Sequence, residues 1–143
     1  MIWDDVRSCF EDYFPCHKFS FEIVHGEDPE DTECTAVLRI DDTPREQKME
    51  VSLETEGSIN YLRVLSPVVP VADCSREQLV RLMEQNLHWV QTRVAVARHR
   101  VVFITLVSFR EFEADPAALG DAMTNLARRA DQMETLLFGR DRR

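Results

Sequence analysis

RVAVARHRVVFITLVSF, residues 93–109, decides the kind of fold this chain adopts. Its first five residues and the nine after the arginine-rich turn read as two strands, with RHR at 98–100 as the tip between them. The second strand, VVFITLVSF, is apolar on both of its alternating faces, the pattern of a strand that is central or covered on both sides. A connection this short joins antiparallel neighbours.

Upstream of this hairpin the period changes. Ser75 in DCSREQL can cap a helix, and Gln78 three residues later completes a capping box, so a helix is expected from there to about Val90. Its apolar stripe is Leu79, Leu82, Met83 and Val90. Asn86 falls inside that stripe, where a partly buried amide must find hydrogen-bond partners in the helix end or the next strand. Glu84 and His88 point to other sides, so a structural Asn86 is favoured over a catalytic one. Downstream, Asp115 caps and Pro116 opens a last helix that runs to about Phe138 and stops at Gly139. Leu119, Met123, Leu126, Ala130, Met133 and Leu137 form a seam on it that must lie against the sheet or a partner.

The first half adds one helix and four strands. IWDDVRSCFEDYF places Trp3, Val6, Phe10 and Tyr13 or Phe14 at helical spacing, and Pro15 ends the helix. HKFSFEIVH alternates Phe19, Phe21 and Ile23 against polar residues. CTAVLRI, KMEVSLE with Met49, Val51 and Leu53 inward, and INYLRVLSPVVPV follow, and Pro67 and Pro70 confine regular pairing to the first part of the fourth strand. GEDPEDTE and DDTPRE read as turns. The expected order is α-β-β-β-β-α-β-β-α, an α+β fold in one domain spanning 1–143, with helices packed on a twisted antiparallel sheet.

Composition narrows the function classes. With 143 residues, 44% hydrophobic and 30% charged, the chain can bury a real core. No apolar run reaches the ~20 residues of a membrane span, and MIWDDVRS lacks the regions of a signal peptide, so a cytoplasmic location and no membrane partner are expected. The net charge of −9 is uneven: residues 1–60 carry 16 acids against 5 bases, and residues 61–143 carry 10 against 12. Nucleic acid is not expected as a partner, because an acidic surface repels phosphate and the bases form no stripe. RHR and the tail RDRR read as a hairpin tip and a solvated end.

Cys9, Cys16, Cys34 and Cys74 include no CxxC pair and suit free thiols. Cys16, His17, His25 and Cys34 could be imagined around a metal, but without ligand spacing they read as the ends of a strand. The four glycines, Gly26, Gly57, Gly120 and Gly139, are too scattered for a phosphate loop. GxSxG, HExxH and a calcium loop are absent, so neither catalytic residues nor a cofactor is expected.

From Tyr61 to Gly139 the chain resembles the YbjN-like family of bacterial sensory transduction regulators and the related type III secretion chaperones. The resemblance rests on LRVLSPVVPV, LVRLMEQNL, the 93–109 hairpin, and DPAALGDAM followed by ADQMETLLFG. It covers the last 80 or so residues, and the first 60 only in element order. It implies the same α+β fold, no catalysis, a helix-end role for Asn86, and a small acidic homodimer that binds an extended segment of a client protein. Two features depart from it: acidity concentrated in the first half, and RHR where an Asp- and Gly-containing turn belongs.

A non-enzymatic protein-binding module, chaperone-like or regulatory, is therefore expected. The alternative is a small-molecule-binding domain or small enzyme using His88, His99 or the acidic loops. Three apolar helix faces compete for one sheet, so a homodimer is expected through Leu79, Leu82, Met83 and Leu87. Trp3, Val6, Phe10 and Tyr13 are expected to meet a partner, since aromatic residues on a terminal helix are the type that anchors interfaces.

Overall fold

The computed structural model describes residues 2–17, 19–25, 33–40 and 46–138. The elements in order are α1 (Ile2–Tyr13), β1 (Phe19–His25), β2 (Glu33–Ile40), β3 (Glu46–Glu56), β4 (Ile59–Pro70), α2 (Arg76–Glu84), β5 (Arg93–Ala97), β6 (Arg100–Ser108), α3 (Phe109–Ala114) and α4 (Ala117–Phe138). The strands form one antiparallel sheet in the order β1-β2-β3-β4-β6-β5. The turns expected at 26–33 and 41–46 lie almost wholly outside the described residues, as does the stop at Gly139.

One face of the sheet makes the core. Alternate residues Cys34, Ala36 and Leu38 of β2, Met49 and Val51 of β3, Leu62 and Val64 of β4, and Val101, Phe103 and Val107 of β6 are all buried. Paired positions such as Val51 opposite Val64 and Leu62 opposite Val107 put these side chains in register across three strands. α4 lies over them, with Leu119, Met123, Leu126, Ala130 and Met133 buried and Leu137 packed at the margin. Each such aliphatic side chain stabilises the fold by roughly 1.5–3 kcal/mol, which is why the seam settles on the sheet.

A polar group sits inside this layer. Gln47 and Ser66 point inward from β3 and β4 beside Glu134 of α4, and all three are buried. Gln47 Nε2 donates to Glu134 Oε1 at 3.5 Å, and Ser66 Oγ donates to the Lys48 carbonyl at 2.9 Å. Hydrogen bonds in so dry a place fix how α4 sits along the strands, because sliding the helix would strand a buried polar atom.

The structure corrects the sequence reading at several points. The strand expected to reach Phe109 ends at Ser108, whose hydroxyl accepts from the Glu111 amide at 3.1 Å and starts α3. β4 pairs regularly only to Pro67, as expected, but after a bulge the pairing resumes at Val69 and Pro70. The second helix stops at Glu84 and continues only as a 3₁₀ turn over Gln85–Leu87. The 3.6-residue period is lost there, and Val90 is left 84% exposed. Trp89 takes its place against the core, with its ring 5.3 Å from that of Phe103 and under the Arg129 guanidinium at 4.8 Å.

The first helix is also part of the core. Trp3, Val6, Phe10 and Tyr13 are 8%, 1%, 0% and 9% exposed, so their aromatic surface is already covered within the chain. The Phe10 ring packs 5.2 Å from Phe14 and 5.7 Å from Phe21. The Tyr13 hydroxyl donates to Asp121, and its ring lies directly over Gly120, where any Cβ would overlap it. Gly120 is what lets α1 dock closely on α4.

Candidate functional site

With α1, α3 and α4 on one side, the opposite sheet face is left open. Its residues are the other alternates: Val37 of β2, Lys48 and Glu50 of β3, Arg63, Leu65 and Pro67 of β4, Val102 and Ile104 of β6, and Ala95 of β5. They line a trough of about 810 Å³ whose walls contain no residue of α1, α2, α3 or α4. Val37, Leu65, Pro67 and Ile104 are half-buried, and Val102 is nearly covered by its neighbours. The floor is therefore strand surface on which half-buried apolar side chains meet water, with Lys48 and Glu50 of β3 between Val37 and Leu65. Leu106, next along β6 on the same face, is 55% exposed.

Charges lie within that floor and at its rim. Glu46 and Glu50 line it together with Lys48, Arg63, Arg98 and Arg100, two acids against four cations. Arg63 pairs with Glu54 at 2.9 Å, Glu46 with Arg39 at 2.7 Å, and the 82% exposed Arg98 approaches Glu50 at 3.6 Å. Lys48 and Arg100 have no ion pair among the described residues. The Nε of Arg63 is buried without a hydrogen-bond partner among them.

The mouth of the trough is the β5–β6 turn. Arg98 and His99 both have positive φ, 53° and 64°, as a tight two-residue hairpin demands. Asn-Gly is the usual filling for such a turn, and side chains with a full Cβ are strained there by about 1 kcal/mol or more each. The Val71 amide donates to the His99 carbonyl at 2.9 Å and ties the tip to the end of β4.

Asn86 lies elsewhere, in the middle of the 3₁₀ turn after α2. Its Nδ2 donates to the Val94 carbonyl at 3.1 Å, and its Oδ1 accepts from the Val94 amide at 2.6 Å. One amide thus pairs with both backbone groups of a β5 residue, the bond a further strand would have made. Of the four residues expected at an interface, Leu82 is buried in the core, and Leu79 and Met83 are half-buried against it. Packing on β5 turns that stripe inward. Leu87 is 85% exposed, and the apolar residues turned outward around it are Val80, Val90 and Val96, 48%, 84% and 54% exposed.

A second hollow of about 670 Å³ lies between α1 and the α3–α4 connection, lined by Asp5, Asp12, Cys9, Cys16, Phe112 and Glu113 among others. Its thiol is a poor nucleophile. Cys9 is buried, its Sγ lies 3.0 Å from the Pro116 carbonyl, and burial pushes its pKa up to about 11. Among the described residues there is no cluster of His, Cys, Asp or Glu able to hold a metal. Cys34 is buried in β2 and Cys16 is exposed, while the side chains of His17 and His25 lie outside the described residues. His88 and His99 are both exposed, and no described helix is long and apolar enough to cross a membrane.

Sequence reading missed the trough for an identifiable reason. β6 is apolar on both faces, which suggested a strand that is central or covered; it is central, between β4 and β5, and only its inner face meets described helices. The usable signal was the outward set Leu65, Pro67, Val102 and Ile104 on neighbouring strands, which needs the pairing of β4 with β6 to be known. No known protein-family model matches the chain, and no curated protein matches it in sequence.

Proposed function

We propose that this protein is a non-enzymatic binding module that receives an extended segment of another protein in the trough of its open sheet face. The observation that carries the reading is the floor itself: Leu65, Pro67 and Ile104, half-buried and paired around the buried Val102 across β4 and β6, with Val37 of β2 beyond the charged residues of β3. Neighbouring strands lie about 4.8 Å apart and a strand advances about 3.3 Å per residue, so an extended peptide meets this surface with alternate side chains. An apolar patch of this kind on an open sheet face is a usual mark of an interaction surface.

Selection from a random peptide library on the immobilised protein tests this. Peptides should be retained by the native chain and lost with Ile104→Asp, whose thermal stability should be nearly unchanged because the site is half-open. Peptides that bind both forms alike, or no retained peptide, would overturn the reading.

The module is further proposed to be a homodimer, built through the apolar side chains left exposed around α2 and β5 instead of the stripe now seen to be core. Val80, Leu87, Val90 and Val96 all lie within residues 80–96, on or beside α2 and the edge strand β5. Light scattering should give twice the chain mass for the native protein and the chain mass for Leu87→Asp with Val96→Lys; a native monomer at high concentration would remove the idea.

A further inference from the structure

We infer that the segment received in the trough is acidic, carrying aspartate or glutamate between apolar residues. The inference rests on the trough being the binding surface and adds the chemistry of its occupant. In a chain of net charge −9, this one hollow is lined by four cations and two acids. Lys48 and Arg100 lack an ion pair among the described residues, and Arg98 is held to Glu50 only at 3.6 Å while 82% exposed. These are cations placed where they can exchange water for a ligand carboxylate at little cost. In the floor, Arg63 Nε–H also lacks an acceptor among the described residues.

The turn supplies an independent observation. Arg98 and His99 occupy positive-φ positions that Asn-Gly fills with less strain. Strained side chains held at the rim of a hollow are a recurrent sign that the residue type serves binding. The His99 carbonyl, bonded to the Val71 amide, keeps the tip from swinging away, so the cations of residues 98 and 100 stay at the mouth. A polyphosphate chain is the less suited occupant, since Glu46 and Glu50 share the trough and the rest of the surface is acidic.

The test is fluorescence anisotropy with a labelled extended peptide in which glutamate alternates with valine and threonine, beside its glutamine counterpart and a labelled single-stranded RNA. The glutamate peptide should bind about tenfold more tightly than the glutamine one, and the difference should shrink as salt rises. Arg98→Asn combined with His99→Gly should raise thermal stability and weaken the glutamate peptide, a pair of effects that misfolding cannot produce. Arg100→Glu should weaken it further. Equal binding of the two peptides would overturn the acidic preference and leave the trough reading standing, and binding of neither would overturn both. RNA bound more tightly than either peptide, through the same arginines, would overturn the proposal in favour of nucleic acid.

Discussion

Asn86 is the residue whose role is most directly written in its contacts. Its amide satisfies both the N–H and the C=O of Val94, so a side chain without polar atoms leaves two backbone groups unpaired in a partly buried place. Asn86→Leu should lower stability by about 1–3 kcal/mol, read as a shifted denaturant midpoint with unchanged slope. This position was legible in the sequence because an amide inside an apolar stripe near a helix end must pair with backbone close by. Cys9 was not, since nothing in its spacing tells which thiol a neighbouring helix will cover. With its pKa raised to about 11 by burial, Cys9 stays protonated near pH 8, and iodoacetamide should label Cys16 first and Cys9 only after unfolding. The raised value also sets a sign: the folded state holds the proton more tightly, so stability is intact below the unfolded value of 9.0 and falls as pH rises from there towards 11. Tyr13, raised by burial and by its bond to Asp121, pushes the same way above its ordinary value of 10.0. Thermal melts from pH 8 to 11 check this, and Cys9→Ala should flatten the decline.

Among the elements, the strands and the two long helices were legible because their periods are strong, and the capping box at Ser75 and Gln78 forms as the sequence suggested. What escaped were the junctions. α3 is six residues long, too short for a period, and is declared only by the Ser108 cap. The end of α2 depends on Asn86 finding β5, a contact that no local pattern contains. The first helix shows the larger lesson: an aromatic stripe fits an interface as well as a core, and only the partner surface decides. Here the partner is α4, made approachable by Gly120. Gly120→Ala should force the Tyr13 ring aside and cost about 1–3 kcal/mol, despite the better helix propensity of alanine. A melt showing Gly120→Ala more stable than the native chain would mean that α1 does not dock in this way.

At the scale of the molecule, a single sheet with helices on one side leaves an asymmetry that composition hides. The net charge belongs to the first half of the chain, yet the hollow on the open face is lined by two acids and four cations. Alternation along each strand sends half the apolar residues of β4 and β6 to that face, and no described helix lies over them. The seam of α4 could be read from its spacing alone, with the sheet or a partner left as what covers it. The trough could not, because it is assembled from β2, β3, β4, β6 and β5, strands far apart in the chain whose neighbours are known only once the order is. Binding in the trough is measured most directly by an amide chemical-shift titration of the isotope-labelled protein with a retained peptide. Shifts should concentrate at Lys48, Leu65, Val102 and Ile104 and leave α1 and α4 unmoved; shifts confined to the hollow around Cys9 and Phe112 would contradict it.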